Sequence, residues 1–262
     1  MTQPALERFT SRGMTLKPES TEGTDSVPVA ATNGFTLMNG TSGTEFDKVE
    51  RPIDRAFFTG NPFAVANKRA FIEGDFEIYP PTDPGDASDG ITDFDTLLRI
   101  AGMARTLTAQ GSSQDGITLY TPISTGIISA SAYWYHVDAL KKVLGARASI
   151  NQLRMAVGAI AGGNARVQGT YNTVDEVTLP AITLPTFVPV AITAENTVTH
   201  VSTLDSGPTV DDLLVWGKEL VIAFGSQLGT KEYTSHRKNA ITDRKATWTL
   251  RMARADLSDF NP

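Results

Sequence analysis

Residues 68–80 read KRAFIEGDFEIYP, and this stretch decides the fold class. Its even-numbered positions are small or apolar from position 70 to position 78, whereas Glu73, Asp75 and Glu77 occupy odd-numbered positions. Alternation with a period of two places successive side chains on opposite faces of an extended strand. The stretch therefore predicts a β-strand with one apolar face and one acidic face.

Further segments downstream have the composition or alternation of strands. Residues 127–137, IISASAYWYHV, are rich in aromatic and β-forming side chains. Residues 165–171 alternate apolar with polar positions after Gly162-Gly163-Asn164, which we interpret as the turn of a hairpin. Strands are also predicted over residues 219–225, 233–241 and 246–254.

Residues 91–107, ITDFDTLLRIAGMARTL, predict a short helix in a chain that is otherwise β. Thr92 or Asp93 can cap its N-terminus, and Asp95 lies near the positive end of the helix dipole. Its apolar stripe consists of Phe94, Leu97, Leu98 and Ala101.

The segments together predict a mainly β fold, with sheets packed face to face and a flanking short α-helix. Residues 178–192 carry three prolines and predict an extended connector or edge. Residues 1–33 lack sustained periodicity and are rich in Ser, Thr, Glu and Pro, which predicts an N-terminal arm that is extended or partly disordered. Residues 34–262 are expected to form one domain.

The composition argues against several classes of function. The chain has no cysteine, which removes disulfides, thiolate metal ligands and cysteine nucleophiles and fits a reducing cytosol. Its net charge of −6 argues against high-affinity binding of nucleic acid. No segment approaches the roughly 18 consecutive apolar residues of a membrane span, and the N-terminus lacks an apolar signal core. We therefore expect a soluble protein that is not exported by a cleaved signal.

Charge is segregated along the chain. Residues 73–95 carry eight carboxylates and no Lys or Arg, whereas residues 231–254 carry seven bases against Glu232 and Asp243. Both segments form solvated faces in one interpretation. In the other, an acidic surface of one subunit meets a basic surface of the next, which suits head-to-tail assembly. The candidate basic residues for such stacking are Arg237, Lys238, Arg244 and Lys245.

Motifs of metal binding and catalysis are mostly absent from the sequence. His136, His200 and His236 are far apart, and none has a ligand-type residue four positions further on. Residues 83–90, DPGDASDG, lack the spacing and final Glu of a calcium loop. Neither a phosphate-binding GxxxxGK[ST] loop nor a GxSxG nucleophile elbow occurs. We expect no metal, no cofactor and no catalytic residues.

Four segments carry a family resemblance when they are taken in order. IEGDFEIYPP at residues 72–81 is followed by LLRIAGMA, then by the long run from Tyr133 to Asn172, and then by ITDRKATWTLRM with Asp243-Arg244 at a turn. This order is similar to that of the major tail tube proteins of long-tailed bacteriophages, over roughly residues 45 to 254. Ala148 stands where that family often has Gly, and residues 1–33 match no part of it. The residues that fit the family motif are Gly145, Arg147, Gly158, Gly169 and Tyr171.

The resemblance implies a β-sandwich or barrel-like fold related to the type VI secretion tube protein. It implies six copies in a ring whose inner wall is a continuous β-barrel, with rings stacked head to tail into a tube through which the genome is ejected. The implied partners are further copies of the chain, the tape-measure protein, the tail terminator, distal tail or baseplate proteins, and phage DNA in transit without specific binding. The implied location is the virion, after assembly in the host bacterial cytoplasm. No membrane partner and no enzymatic activity are expected.

A conduit for DNA should not bind its cargo, so an acidic or neutral lumen is favoured over a basic one. Glu73, Asp75 and Glu77 are therefore candidate lumen-facing residues, and the alternative is that they lie on an outer face or between rings.

Three rival functions remain open. One is a distal tail or baseplate hub protein of the same fold, which forms a single ring. Another is a glycosidase that uses the acidic row Glu73, Asp75 and Glu77, although three acids on one strand face are an ordinary polar face. The last is a carbohydrate-binding β-sandwich. Against this last rival, Trp134, Trp216 and Trp248 all lie in strand-like or apolar runs and are predicted to be core.

Overall fold

The protein is described here by a computed structural model, which covers residues 12–51, 62–78, 94–108, 117–184, 191–193, 199–201, 213–215, 217–233 and 236–252. The described residues are mainly β, with one short helix, as the sequence predicts. In chain order the elements are β1 (Arg12–Pro18), β2 (Gly34–Phe35), β3 (Met38–Glu50), β4 (Phe63–Glu77), α1 (Asp95–Ile100), β5 (Met103–Thr108), β6 (Ile117–Pro122), β7 (Ala130–His136), β8 (Ala139–Ala156), β9 (Gly162–Tyr171), β10 (Asp175–Glu176), β11 (Thr199–Val201), β12 (Leu213–Val215), β13 (Gly217–Ala223), β14 (Ser226–Tyr233), β15 (His236–Arg244) and β16 (Thr247–Met252).

Ten of the described strands form one antiparallel sheet, which we call the main sheet. Its central order is β2–β1–β7–β8–β9–β4–β3. The strand β8 is 18 residues long, so one of its edges pairs first with β7 and then, near its C-terminus, with β13. β16 pairs with β13, and β10 pairs with β8. Within the same residues, β5–β6, β11–β12 and β14–β15 form separate two-stranded sheets.

The strand that decides the fold is β4. Ala70, Ile72, Gly74 and Phe76 are buried, and the odd positions between them are partly exposed, which confirms the predicted alternation. β4 begins earlier than the periodicity indicates, at Phe63. Its apolar side joins the hydrophobic core with residues of β1, β7, β8 and β9.

The helix α1 confirms only the middle of the predicted helical segment. Leu97, Leu98 and Ile100 are buried in the core. Gly102, with φ of +85°, follows the helix, and Met103–Thr108 then pairs as β5 with β6 instead of continuing it. The predicted caps Thr92 and Asp93 lie outside the described residues, and Phe94 takes the cap position without a side-chain hydrogen bond.

Within the described residues, the main sheet does not pack against a second sheet of similar size. The helix α1 supplies Leu97, Leu98 and Ile100 to the core of the main sheet, and Met103 of β5 joins them. The hairpin β14–β15 contacts β8 and β9, with the Ser149 hydroxyl donating to the Ser226 carbonyl oxygen at 2.6 Å. The second layer is therefore built from small elements.

Residues 12–33 belong to the folded unit and not to an arm, so the predicted domain boundary at residue 33 is wrong for them. β1 pairs with β7 from Arg12↔His136 to Pro18↔Ala130, and Met14 is only 1% exposed. The loop after β1 is held by Glu19, whose carboxylate accepts hydrogen bonds from the Ser131 hydroxyl and the Gly145 amide. The apolar stretch of β1 is too short for its periodicity to reveal it. Residues 1–11 lie outside the described part of the chain.

The predicted β8–β9 hairpin is confirmed, but its turn is not where the glycines indicated. Val157 and Gly158 form the turn, and Gly162, Gly163 and Asn164 already lie in β9. These two glycines are explained by close backbone approach instead. A Cβ at Gly162 would lie 2.6 Å from the Phe76 carbonyl oxygen.

The final third of the chain differs from the prediction in two ways. The segment predicted as one strand from Tyr233 spans the end of β14 and the start of β15, and β14 itself was not predicted. β15 pairs with β14, whereas β16 pairs with β13, so Asp243-Arg244 is not the turn of a hairpin between β15 and β16. In the described part of residues 178–192, residues 178–184 form no regular element, as expected for a connector.

Of the three tryptophans, one is core and one is not. Trp134 is 4% exposed, which confirms its prediction, and Trp216 lies outside the described residues. Trp248 is 71% exposed, so its prediction as core is wrong. Among the described residues, its strand β16 pairs only with β13 and lies at an edge of the main sheet.

We expect Gly169→Ala to lower the free energy of unfolding by about 1–3 kcal/mol, the usual cost of overpacking a well-packed site. A Cβ at Gly169 would lie 2.5 Å from the Leu144 carbonyl oxygen and 2.7 Å from the Val143 side chain. Urea denaturation would measure the change, with Thr170→Ala on the same strand as the control. A Gly169→Ala protein as stable as the wild type would show that β8 and β9 are not packed this closely.

Candidate functional site

The predicted acidic row lies on one side of β4, but basic and amide groups from neighbouring strands share that side. Asp75 accepts hydrogen bonds from the side-chain amides of Asn39 and Asn164, both at 3.0 Å. These two hydrogen bonds hold the pKa of Asp75 below its ordinary value, and the bond from Asn164 contributes more than the bond from Asn39. Glu73 lies 3.7 Å from the Arg166 guanidinium. This side of the sheet is therefore polar and mixed in charge, with Glu77 at its end.

Glu45 is the centre of this surface, and no pattern in the sequence predicts its role. Arg69 and Arg166 both donate to its carboxylate, at 2.9 Å and 2.5 Å. Burial raises the pKa of Glu45, but these bonds outweigh burial and bring the pKa below its ordinary value. Arg166 also stacks 4.1 Å above the Phe71 ring. Only the register of β3, β4 and β9 brings these residues together, and no local motif encodes it.

The four basic candidates for ring stacking have different surroundings. The Arg244 guanidinium donates to the carbonyl oxygens of Ala101 and Gly102, at 2.6 Å and 3.2 Å, and burial lowers its pKa. Lys245 is exposed. Lys238 is half-exposed and lies 3.5 Å from Glu22. Arg237 lies in β15, and its side chain is outside the described part of the chain.

Arg147, one of the residues that fit the family motif, is buried within the fold. Its guanidinium donates to the Ile127 carbonyl oxygen at 2.6 Å, to Glu22 at 3.0 Å and to the Asn239 carbonyl oxygen at 3.4 Å. It thus ties the loop after β1 and the strand β15 to the main sheet.

The other motif residues also serve the fold. Gly145 lies at a bulge in β8 with φ of +59°, and Gly158 lies in the β8–β9 turn with φ of +81°. Both backbone conformations favour glycine. Gly169 lies close to the backbone of β8, and Tyr171 packs against the core beneath Lys68, whose Nζ is 5.7 Å from its ring.

In the described residues, four strands of the main sheet pair with one neighbour each, and two of them are longer than two residues. One is β3, a strand of 13 residues that pairs only with β4, and the other is β16, which pairs only with β13. An edge strand presents unpaired N–H and C=O groups on which another strand can add.

The hairpin β3–β4 projects beyond the rest of the sheet. β4 pairs with β9 only from Arg69 onward, so among the described strands its first six residues are paired with β3 alone. Four large apolar side chains on this projection are substantially exposed: Phe46, Val49, Phe63 and Val65. Apolar side chains gathered on one exposed element mark an interaction surface.

In the described residues, no group of three His, Cys, Asp or Glu side chains could hold a metal ion. Among the same residues, no helix is long and apolar enough to cross a membrane. The surfaces that this part of the chain offers for function are therefore its strand edges, its projecting hairpin, its polar face and its clefts.

We expect Arg244→Gln to lower the free energy of unfolding by about 1–2 kcal/mol, because it removes the hydrogen bonds that end α1. Lys245→Gln, the matched control at the next residue, should change it by less than about 0.5 kcal/mol. Urea denaturation of both variants would measure the difference. Equal stability would contradict a structural role for Arg244 and leave it, like Lys245, as a surface residue.

Comparison with known proteins yields no match among family models and none among curated proteins. A function for the chain must therefore be argued from its own surfaces and from the resemblance of its segments.

Proposed function

We propose that this chain is the structural subunit of a bacteriophage tail tube, in which rings of six copies stack head to tail. The observation that carries the proposal is the pair of exposed edges, β3 and β16, on one sheet. Strands of neighbouring copies that pair along such edges close a ring and remove the unpaired backbone groups. The two edges differ, so the contact is heterologous, as a closed ring of identical copies requires.

The projecting hairpin β3–β4 supports the proposal. Val49 and Phe63 are each 53% exposed, which is unfavourable in a protein that stays monomeric. Burial of such side chains against a neighbouring copy contributes about 1.5–3 kcal/mol for each fully buried residue. The hairpin is thus a contact between subunits in the proposed assembly.

The polar face of β4 suits the wall of a conduit. Glu73 and Asp75 are surrounded by Arg166 and by amide groups, so the face carries little excess positive charge with which to hold phosphates. In the proposed tube Glu73, Asp75 and Glu77 face the lumen. Lys238 and Lys245 are the described basic side chains that lie exposed at the proposed stacking surface. The other partners are those of a tail: the tape-measure protein, the terminator, the distal tail proteins and DNA in transit.

Negative-stain microscopy and sedimentation of the purified full-length chain test the proposal. Rings or tubes whose abundance rises with protein concentration are the expected result. Single rings that never stack would favour the alternative of a distal tail or baseplate hub protein. A chain that stays monomeric at every concentration would refute both.

We expect Val49→Lys to reduce assembly at least about tenfold, because it places a charge where a neighbouring copy would bury an apolar side chain. Leu119→Lys is the matched control, since Leu119 is equally exposed, at 53%, on the strand β6. Both substitutions should leave the melting temperature nearly unchanged. If both variants assemble like the wild type, the hairpin is not a subunit contact.

The exposure of Trp248 favours a second candidate, a carbohydrate-binding module. An exposed aromatic ring on a strand is a platform on which a sugar ring can stack. In that case Trp248→Ala should abolish retention of the chain on polysaccharide affinity gels and leave its oligomeric state unchanged. If the chain is a tube subunit, Trp248→Ala should instead impair assembly, and no polysaccharide should retain the wild type.

A further inference from the structure

A cleft of about 390 Å³ opens between the start of β1, the start of β3 and the β7–β8 hairpin. Three basic side chains line it, those of Arg12, His136 and Lys141, together with Thr41 and Ser42. Among the described residues no carboxylate lines this cleft. Its basic residues lie outside the polar face of β4, whereas Gly40, Thr41 and Ser42 belong to β3, one of the two edges in the proposed assembly.

The register of three strands brings the basic residues to one side of the main sheet. Arg12 of β1 lies directly opposite His136 of β7, and Lys141 of β8 lies opposite Trp134 of β7. Arg12, Trp134 and His136 are an even number of residues from the core positions on their strands, so they share the core side. The register thus brings the two cations Arg12 and Lys141 to the same side of the sheet, and no carboxylate is among the described residues that line the cleft between them.

Lys141 is the most informative of these residues because it is partly buried. Its Nζ donates to the Ser42 hydroxyl at 3.1 Å, and burial lowers its pKa. The next residue, Lys142, points to the opposite side of the sheet, where it forms an ion pair with Asp175 at 2.8 Å. The fold thus supplies an acidic partner for one lysine of the pair, while the other faces a cleft lined by bases and hydroxyls.

Arg12 is held in position at the rim of the cleft. One of its terminal nitrogens donates to the Gly40 carbonyl oxygen at 2.7 Å. A guanidinium has five N–H donors, so this bond orients the group and uses only part of its donor capacity. Gly40 also closes the floor, because a Cβ there would collide with the Trp134 ring.

We propose that this cleft binds a phosphate group through Arg12, His136 and Lys141, with the hydroxyls of Thr41 and Ser42 as further donors. Arginine and lysine are the usual ligands of phosphate in proteins. A tetrahedral dianion accepts more hydrogen bonds than one carboxylate, which matches the number of donors that converge here. The group comes from inorganic phosphate or from a phosphate monoester.

Calorimetric titration of the full-length chain with inorganic phosphate, in chloride buffer of constant ionic strength, tests the proposal. Saturable binding is expected, with an affinity lowered at least about tenfold in Lys141→Gln and in Arg12→Gln, because each variant loses a charged donor. Lys142→Gln is the matched control, since it removes the same charge from the other side of the sheet. Its affinity should stay within about twofold of the wild type.

The outcomes that would overturn the proposal are distinct. They are the absence of saturable phosphate binding by the wild type, and an equal loss of affinity in Lys142→Gln, which would indicate general charge attraction. A short DNA duplex without terminal phosphates serves as a second ligand. Tighter binding of this duplex than of phosphate, with the same dependence on Lys141, would assign the cleft to a nucleic-acid backbone instead.

Melting curves show whether each variant folds. His136 is exposed, so His136→Gln provides a variant that preserves the fold if Lys141→Gln does not. It should also weaken phosphate binding. Variants that bind phosphate normally but fail to form rings would show that the cleft is a contact between subunits. That result would refute the phosphate site and leave the proposed ring assembly standing.

Discussion

The rest of the structure depends on the pairing of one long strand, β8, with four others. β9 pairs along most of its length, whereas on the other edge β7 pairs with its first half and β13 with its last residues. β7 pairs with β8 as far as Ala146 and β13 begins at Leu153, while Gly145, with its positive φ, lies at a bulge within the pairing with β7. Arg147, two residues later, ties the loop after β1 and the strand β15 to this point. The division of β8 between two partners is also what separates the edges β3 and β16, on which the proposed assembly depends.

Periodicity within one segment predicted the parts of the fold whose burial is decided locally. The alternation of β4 and the apolar stripe of α1 have their buried sides where the sequence indicated, and the aromatic segment 127–137 contains the predicted strand as β7. Features that depend on contacts between distant segments could not be predicted from periodicity within one segment. Gly162 and Gly163 have the composition of a turn, yet they lie in a strand because the backbones of β4 and β8 pass too close for a Cβ. Trp248 has the pattern of a core residue, yet its strand has a neighbour on one side only.

The candidate site was predictable in position but not in electrostatics. The sequence indicated that Glu73, Asp75 and Glu77 share one side of a strand, and they do. It contained no sign that Glu45 of β3 and Arg166 of β9 would join them, because cross-strand neighbours are set by register. Arg244 belongs to a basic run, which predicts an exposed surface charge. In the structure its guanidinium instead donates to the Ala101 carbonyl oxygen at the end of α1. A run of like charges in a sequence therefore does not predict whether each side chain is exposed or forms contacts within the fold. The neighbours that the fold brings to each side chain decide this.

The exposed edges and the projecting hairpin together determine how the stability of this chain should depend on its concentration. A partner that binds only the folded state stabilises it by mass action, and in the proposed assembly that partner is another copy. In a dilute solution β3, β16 and the apolar side chains of the hairpin are in contact with water, and the same features carry the risk of irregular aggregation. Pairing along both edges in a ring satisfies the backbone groups and covers Phe46, Val49 and their neighbours in one geometry. In the proposed assembly an isolated subunit is therefore an intermediate, and the ring is the state in which these exposed groups are covered.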